Sequence, residues 1–125
     1  MEVAAWIAVG LIAVVAVFQL ALALGAPAGA AAWGGNYSGV LPTRLRVASG
    51  FVAIFFYPVL SLFILDSAGV IDIGIDINSL WLWVFAGLFL LGALANFASR
   101  SKVERWWGPV SLVIAICCGV IALGI

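Results

Sequence analysis

The amino-acid sequence predicts an all-α membrane protein: a four-transmembrane-helix bundle with a short interfacial or re-entrant helix after the first span. Three observations carry this expectation. Hydrophobic residues fill 67% of the chain and charged residues only 8%, whereas a soluble domain has about a quarter charged residues; part of its surface must therefore face lipid. Residues 3–43, 47–65, 77–99 and 106–125 contain no Asp, Glu, Lys or Arg, and crossing a hydrocarbon core of about 30 Å takes roughly 20 helical residues. The charges lie outside those windows, and all five Lys and Arg fall in the first and third connections.

The first window is too long for one helix. Gly25–Ala26–Pro27 breaks it, leaving Val3–Leu24 as the first span. The other windows give spans near Leu45–Leu65, Leu80–Ser99 and Trp106–Gly124. All four belong to one transmembrane domain over residues 1–125, with almost no chain left for a soluble domain. A cleaved signal peptide is the other reading of the first segment. Its long apolar run and Glu2 in place of a basic n-region argue for a span, while the small residues after Leu24 resemble a cleavage site.

Between the first two spans stands "GAPAGAAAWGGNYSGVLPTRLR". Pro27 suits the first turn of a helix, Ala28 to Trp33 are mostly helix formers, and Gly34–Gly35 stop the helix after barely two turns. Thr43 is placed to N-cap the second span. The segment has no charge before Arg44, which favours a covered position. Irregular backbone at membrane depth needs protein or a cavity around it, so a segment that dips inward packs near Gln19 and Asn96.

Orientation follows from the loops. Arg44 and Arg46 close the first connection, and Arg100, Lys102 and Arg105 lie in the third. The opposite side receives Glu2, Asp66, Asp72 and Asp76 without a single Lys or Arg. Positive residues are retained in the cytoplasm, which predicts both termini and the middle loop outside. So one-sided a bias also argues against dual topology. Trp6, Trp81 and Trp83 fall near the outer span ends and Trp33, Trp106 and Trp107 near the inner side, as an aromatic belt requires.

The middle loop, "VIDIGIDIN", alternates Ile71, Ile73, Ile75 and Ile77 with Asp72, Gly74 and Asp76. Period two implies an extended segment with one apolar and one acidic face. Asp66, Asp72 and Asp76 offer oxygen ligands to a hard cation, but no ligand-loop pattern accompanies them. A solvated cap is the favoured reading, and no metal site is expected.

Within the spans, Gln19 and Asn96 are the strongly polar residues. Gly92 and Ser99 share a helical face with Asn96, and Ala16 and Ala23 share one with Gln19. Both amides are expected to face the bundle interior, either as interhelical glue or as the lining of a small polar site. Ala115 and Gly119 form a small-xxx-small pair that permits close helix approach. Cys117 and Cys118 are adjacent, cannot pair with each other without strain, and read as packing residues.

"GAPAGAAAWGG", "LPTRLRVAS" and "NFASRSKVERWWGPVSLVIAIC" together resemble a family of small, functionally uncharacterised bacterial membrane proteins with the pattern GAPxGxxAWGG, LPxxLRxxS and NxxSRSxxER. The resemblance rests on Gly25, Pro27, Gly29, Trp33, Gly34, Gly35, Arg44, Arg46, Asn96, Ser99, Arg100, Glu104 and Arg105. It implies a four-helix protein of the bacterial inner membrane and carries no activity with it. Many members have a basic or His-containing loop after the double glycine; "NYSG" stands there in this chain.

Enzymatic activity is not expected. The chain has no histidine and no nucleophile paired with a base. Proton-coupled transport is disfavoured because the spans hold no ionisable carboxylate or lysine. No cofactor and no nucleic-acid partner is expected. Two readings remain. One is an accessory or binding protein whose cytoplasmic rim, with Arg44, Arg46, Arg100, Arg105 and Trp33, contacts anionic lipid or a partner membrane protein. The other is a small channel or facilitator with a polar path near Gln19, Asn96 and Ser99, capped by Pro27–Gly35, the path lying at the axis of a homo-oligomer.

Overall fold

Four helices long and apolar enough to cross a membrane dominate the computed structural model, which describes residues 1–125 and contains no strand. They are α1 (Glu2–Ala23), α2 (Thr43–Ser67), α3 (Leu80–Phe97) and α4 (Lys102–Leu123). α1 closes where Gly25 N–H donates to Leu22 O and Ala26 N–H to Ala21 O, at 3.1 and 2.9 Å, the paired bonds of a Schellman ending.

α2 does not start with the expected Thr43 cap. Pro42 is the N-cap and Thr43 the first helical residue, with no side-chain cap bond. Midway, Val52–Phe56 widens into a π-helix in which Tyr57 N–H donates to Val52 O, five residues back. Pro58 supplies the reason: it has no N–H for the preceding turn, so the ladder shifts register to keep its carbonyls paired.

α4 starts at Lys102, four residues before the sequence places it. Ser101 Oγ accepts the Glu104 N–H at 3.3 Å and so caps a first turn, Lys102–Arg105, ahead of the apolar run. The main segment, Trp107–Leu123, then follows after Trp106.

The expected helix over Ala28–Trp33 is absent. Two single 3₁₀ turns, Gly29–Ala31 and Trp33–Gly35, stand in its place, separated by extended Ala32 (φ −148°, ψ 168°). Trp33, Gly34 and Gly35 take φ values of 51°, 82° and 72°. Three consecutive left-handed residues cannot continue a right-handed helix.

Packing is uneven around the bundle. α1 lies against α2 and α4, and α4 packs most extensively on α3, whereas α2 and α3 make almost no direct contact. The main core joins Ala5, Ala8 and Ile12 of α1 to Leu60 and Ile64 of α2, Leu82 of α3, and Ile114, Cys118 and Ile121 of α4. Both cysteines are free and buried there. Ala115 is buried, and a Cβ on Gly119 would lie 3.7 Å from the Trp83 ring, so the small pair does face a close neighbour. A second cluster of Leu22, Ala32 and Leu41 seats the first loop against α1.

The middle loop is irregular, bends at Gly74 and pairs with no strand. Ile71, Ile73 and Ile77 are half-buried and Asp72 and Asp76 exposed, but Ile75 is exposed too because Gly74 turns the chain with φ 76°. Asp66 Oδ1 accepts the Ile73 N–H at 3.0 Å and Asp72 Oδ1 the Gly74 N–H at 2.8 Å. These carboxyls tie the loop, and no His, Cys, Asp or Glu cluster is arranged for a metal ion.

Candidate functional site: a polar cavity at the arginine-bearing end

At the end of the bundle that carries Arg44, Arg46, Arg100 and Arg105, the helices leave a cavity of about 490 Å³. α1 contributes Phe18 and Gln19, and α3 contributes Asn96 from its last turn. Ser99 and Arg100 follow from the α3–α4 connection, and Glu104, Trp107 and Ser111 from α4. The first loop closes it with Ala31, Trp33 and Gly34, and Tyr57 reaches in from α2 just after the π-helix. Gln19, Asn96, Ser99, Arg100 and Trp33, singled out from the sequence, thus share one lining.

The loop is held over this cavity by long-range bonds. Trp33 Nε1 donates to Ser49 Oγ at 3.0 Å, and Trp107 Nε1 donates to Ala31 O at 3.1 Å. Ser49 is fully buried. Gly29 N–H donates to Gly39 O at 2.8 Å, and a Cβ on Gly29 would sit 2.7 Å from that oxygen. Gly35 lies so close to the α4 cap that a Cβ there would come within 2.6 Å of Ser101 Cβ. Pro27 occupies the bend before the first 3₁₀ turn. Gly25 borders the Arg46 guanidinium.

The other arginines lie outside the lining. Arg46 Nε donates to Ala23 O at 3.2 Å and Arg105 Nε to Ser99 O at 2.7 Å, covering the carbonyl of the last residue of α1 and one just past the end of α3. Arg44 Nη2 donates to the Tyr37 hydroxyl at 3.1 Å. Of the four arginines, Arg100 alone borders the cavity.

Glu104 is a lining residue to which the sequence assigned no part in a site, as are Phe18, Tyr57 and Ser111. It is only 5% exposed, and its Oε2 has no hydrogen-bond partner. Ser101–x–x–Glu104 has the spacing of a capping box, in which the glutamate reaches back to the cap's own N–H. Here Ser99 Oγ already accepts the Ser101 N–H at 3.1 Å, so the carboxyl is left over. Gln19 Oε1 is likewise buried without a partner. Buried polar atoms are normally satisfied, so these two acceptors are hydrogen-bonding capacity that the chain itself leaves unmet among the cavity's lining residues.

A second cavity of about 350 Å³ adjoins the first, sharing Tyr57, Gly92, Asn96 and Ser111 with it. Phe56, Phe85, Leu88 and Phe89 complete its walls. It occupies the seam where α2 and α3 fail to meet.

No protein-family model, curated protein or solved structure matches this chain.

Proposed function

We propose that this chain is a non-enzymatic lipid-binding protein of the bacterial cytoplasmic membrane, belonging with the small four-helix proteins that its motifs resemble. In this reading both termini face outward, the arginine-bearing end is cytoplasmic, and the 3₁₀ turns of the first loop lie at the inner interface. The lipid binds at that rim, and a larger membrane protein or further copies of the chain are its natural partners. The observation that carries the reading is the polar cavity lined by Gln19 and Glu104, each with one buried acceptor that no group of the chain pairs. Its residues offer recognition without a reaction: Ser99 accepts from Ser101 and is paired with no base.

Gln19, Asn96 and Ser99 also suit a polar path, the second reading. Against a path through a single bundle stands the apolar core of Ile12, Leu60, Ile64 and Ile114, each 0–1% exposed, which leaves only an oligomer axis for it.

The test is mass spectrometry of lipids retained after exhaustive detergent exchange, on wild type and Asn96→Leu. Losing one hydrogen bond of about 1.4 kcal/mol lowers affinity about tenfold, so the variant is expected to retain far less lipid at an unchanged melting temperature. Wild type with no retained lipid sinks the binding reading. Liposome flux abolished by Asn96→Leu would install the channel in its place.

A further inference from the structure

Two residues of the cavity lining hold unpaired acceptors, Gln19 Oε1 and Glu104 Oε2, both buried behind the cavity surface. The ligand that completes them brings hydrogen-bond donors, and beside a carboxyl the strongest donors are cationic. Phe18, Trp33, Tyr57 and Trp107 put four aromatic rings in the same lining, a setting that favours a cation over a neutral donor. Arg100, in that lining as well, matches a phosphate. The wall thus asks for an ammonium and a phosphate on one small headgroup.

The adjoining cavity decides what else the ligand carries. It is walled chiefly by Phe56, Phe85, Leu88 and Phe89, and it adjoins the polar cavity, the two sharing Tyr57, Gly92, Asn96 and Ser111. Because α2 and α3 are not packed together, it lies in the seam between helices that lipid surrounds. One molecule with a polar head and an apolar chain fits both compartments.

We infer that the site binds a phospholipid with a primary ammonium headgroup, its ammonium at Glu104 and Gln19, its phosphate toward Arg100, and one acyl chain in the α2–α3 seam. This rests on the lipid-binding reading above and specifies the lipid's chemistry. A trimethylated headgroup has the charge but no N–H to donate, and a glycerol headgroup has donors but no positive charge; both are poorer partners for a buried carboxyl.

The experiment is native mass spectrometry of the full chain in detergent. It is titrated with phosphatidylethanolamine, phosphatidylcholine and phosphatidylglycerol of identical chains, and with free phosphoethanolamine. Wild type is expected to prefer phosphatidylethanolamine by about tenfold, the worth of one charge-assisted hydrogen bond. Glu104→Gln, nearly isosteric, removes that preference, and Gln19→Leu weakens it independently should the first variant fold poorly. Equal binding of the three lipids, unchanged in both variants, overturns the ammonium assignment while leaving a lipid site in place. Free phosphoethanolamine binding as tightly as the lipid overturns the acyl slot and makes the ligand a soluble amine. No lipid bound above the detergent background removes the underlying lipid reading itself.

Discussion

The Trp107 indole N–H donates to the Ala31 carbonyl at 3.1 Å, joining residues 76 positions apart in sequence. This bond and the Trp33–Ser49 bond anchor the first loop to two helices. Phe18 lies against the same indole, ring centroids 4.9 Å apart. Trp107→Phe keeps an aromatic ring there and removes the donor. Ala31, 5% exposed, then holds an unpaired carbonyl, a loss of about 1–3 kcal/mol. Thermal unfolding in detergent is expected to shift downward; an unshifted transition would mean the bond does not hold the loop.

Glycines 35 and 87 make a matched pair for a second prediction. Gly35 has φ 72° and no room for a Cβ beside Ser101, whereas Gly87 lies in α3 with nothing within 4 Å. Gly35→Ala is expected to destabilise by about 1–3 kcal/mol through backbone strain and the clash. Gly87→Ala gains up to about 1 kcal/mol of helix propensity. Melting temperatures of the two variants should move in opposite directions, and a shared direction would contradict the geometry at Gly35.

Orientation is checked by labelling single introduced cysteines with a membrane-impermeant maleimide. Ser38 and Asp76 are exposed on opposite connections, while Cys117 and Cys118 are 6% and 0% exposed and protected from the reagent. In intact cells Asp76→Cys is expected to react and Ser38→Cys to react only after lysis. The reverse pattern would invert the proposed topology.

The helices were legible in the sequence because charge-free windows of roughly 20 residues have few alternatives in water or lipid. Gln19, Asn96 and Ser99 were legible for the same reason, since an amide in an apolar span has to point inward. The first loop was not. Its alanines favour a helix locally, but the left-handed Trp33 and the contacts to Ser49 and Trp107 are decided by other elements of the fold. Glu104 enters the sequence reading only as part of the NxxSRSxxER pattern, because among Arg100, Lys102 and Arg105 a lone carboxyl reads as loop charge. Its burial depends on the early start of α4 at Ser101 and on the packing of that first turn against Gly29–Ala31. The α2–α3 seam was equally hidden, because hydropathy ranks helices without saying which neighbours they choose.

On the lipid-binding proposal, that seam changes what concentration means for this protein. A ligand entering sideways between α2 and α3 is drawn from the leaflet, so occupancy follows its mole fraction among neighbouring lipids and is indifferent to its level in the aqueous phase. Total protein and lipid can be diluted together without emptying the site, whereas swapping one lipid species for another at constant volume empties it.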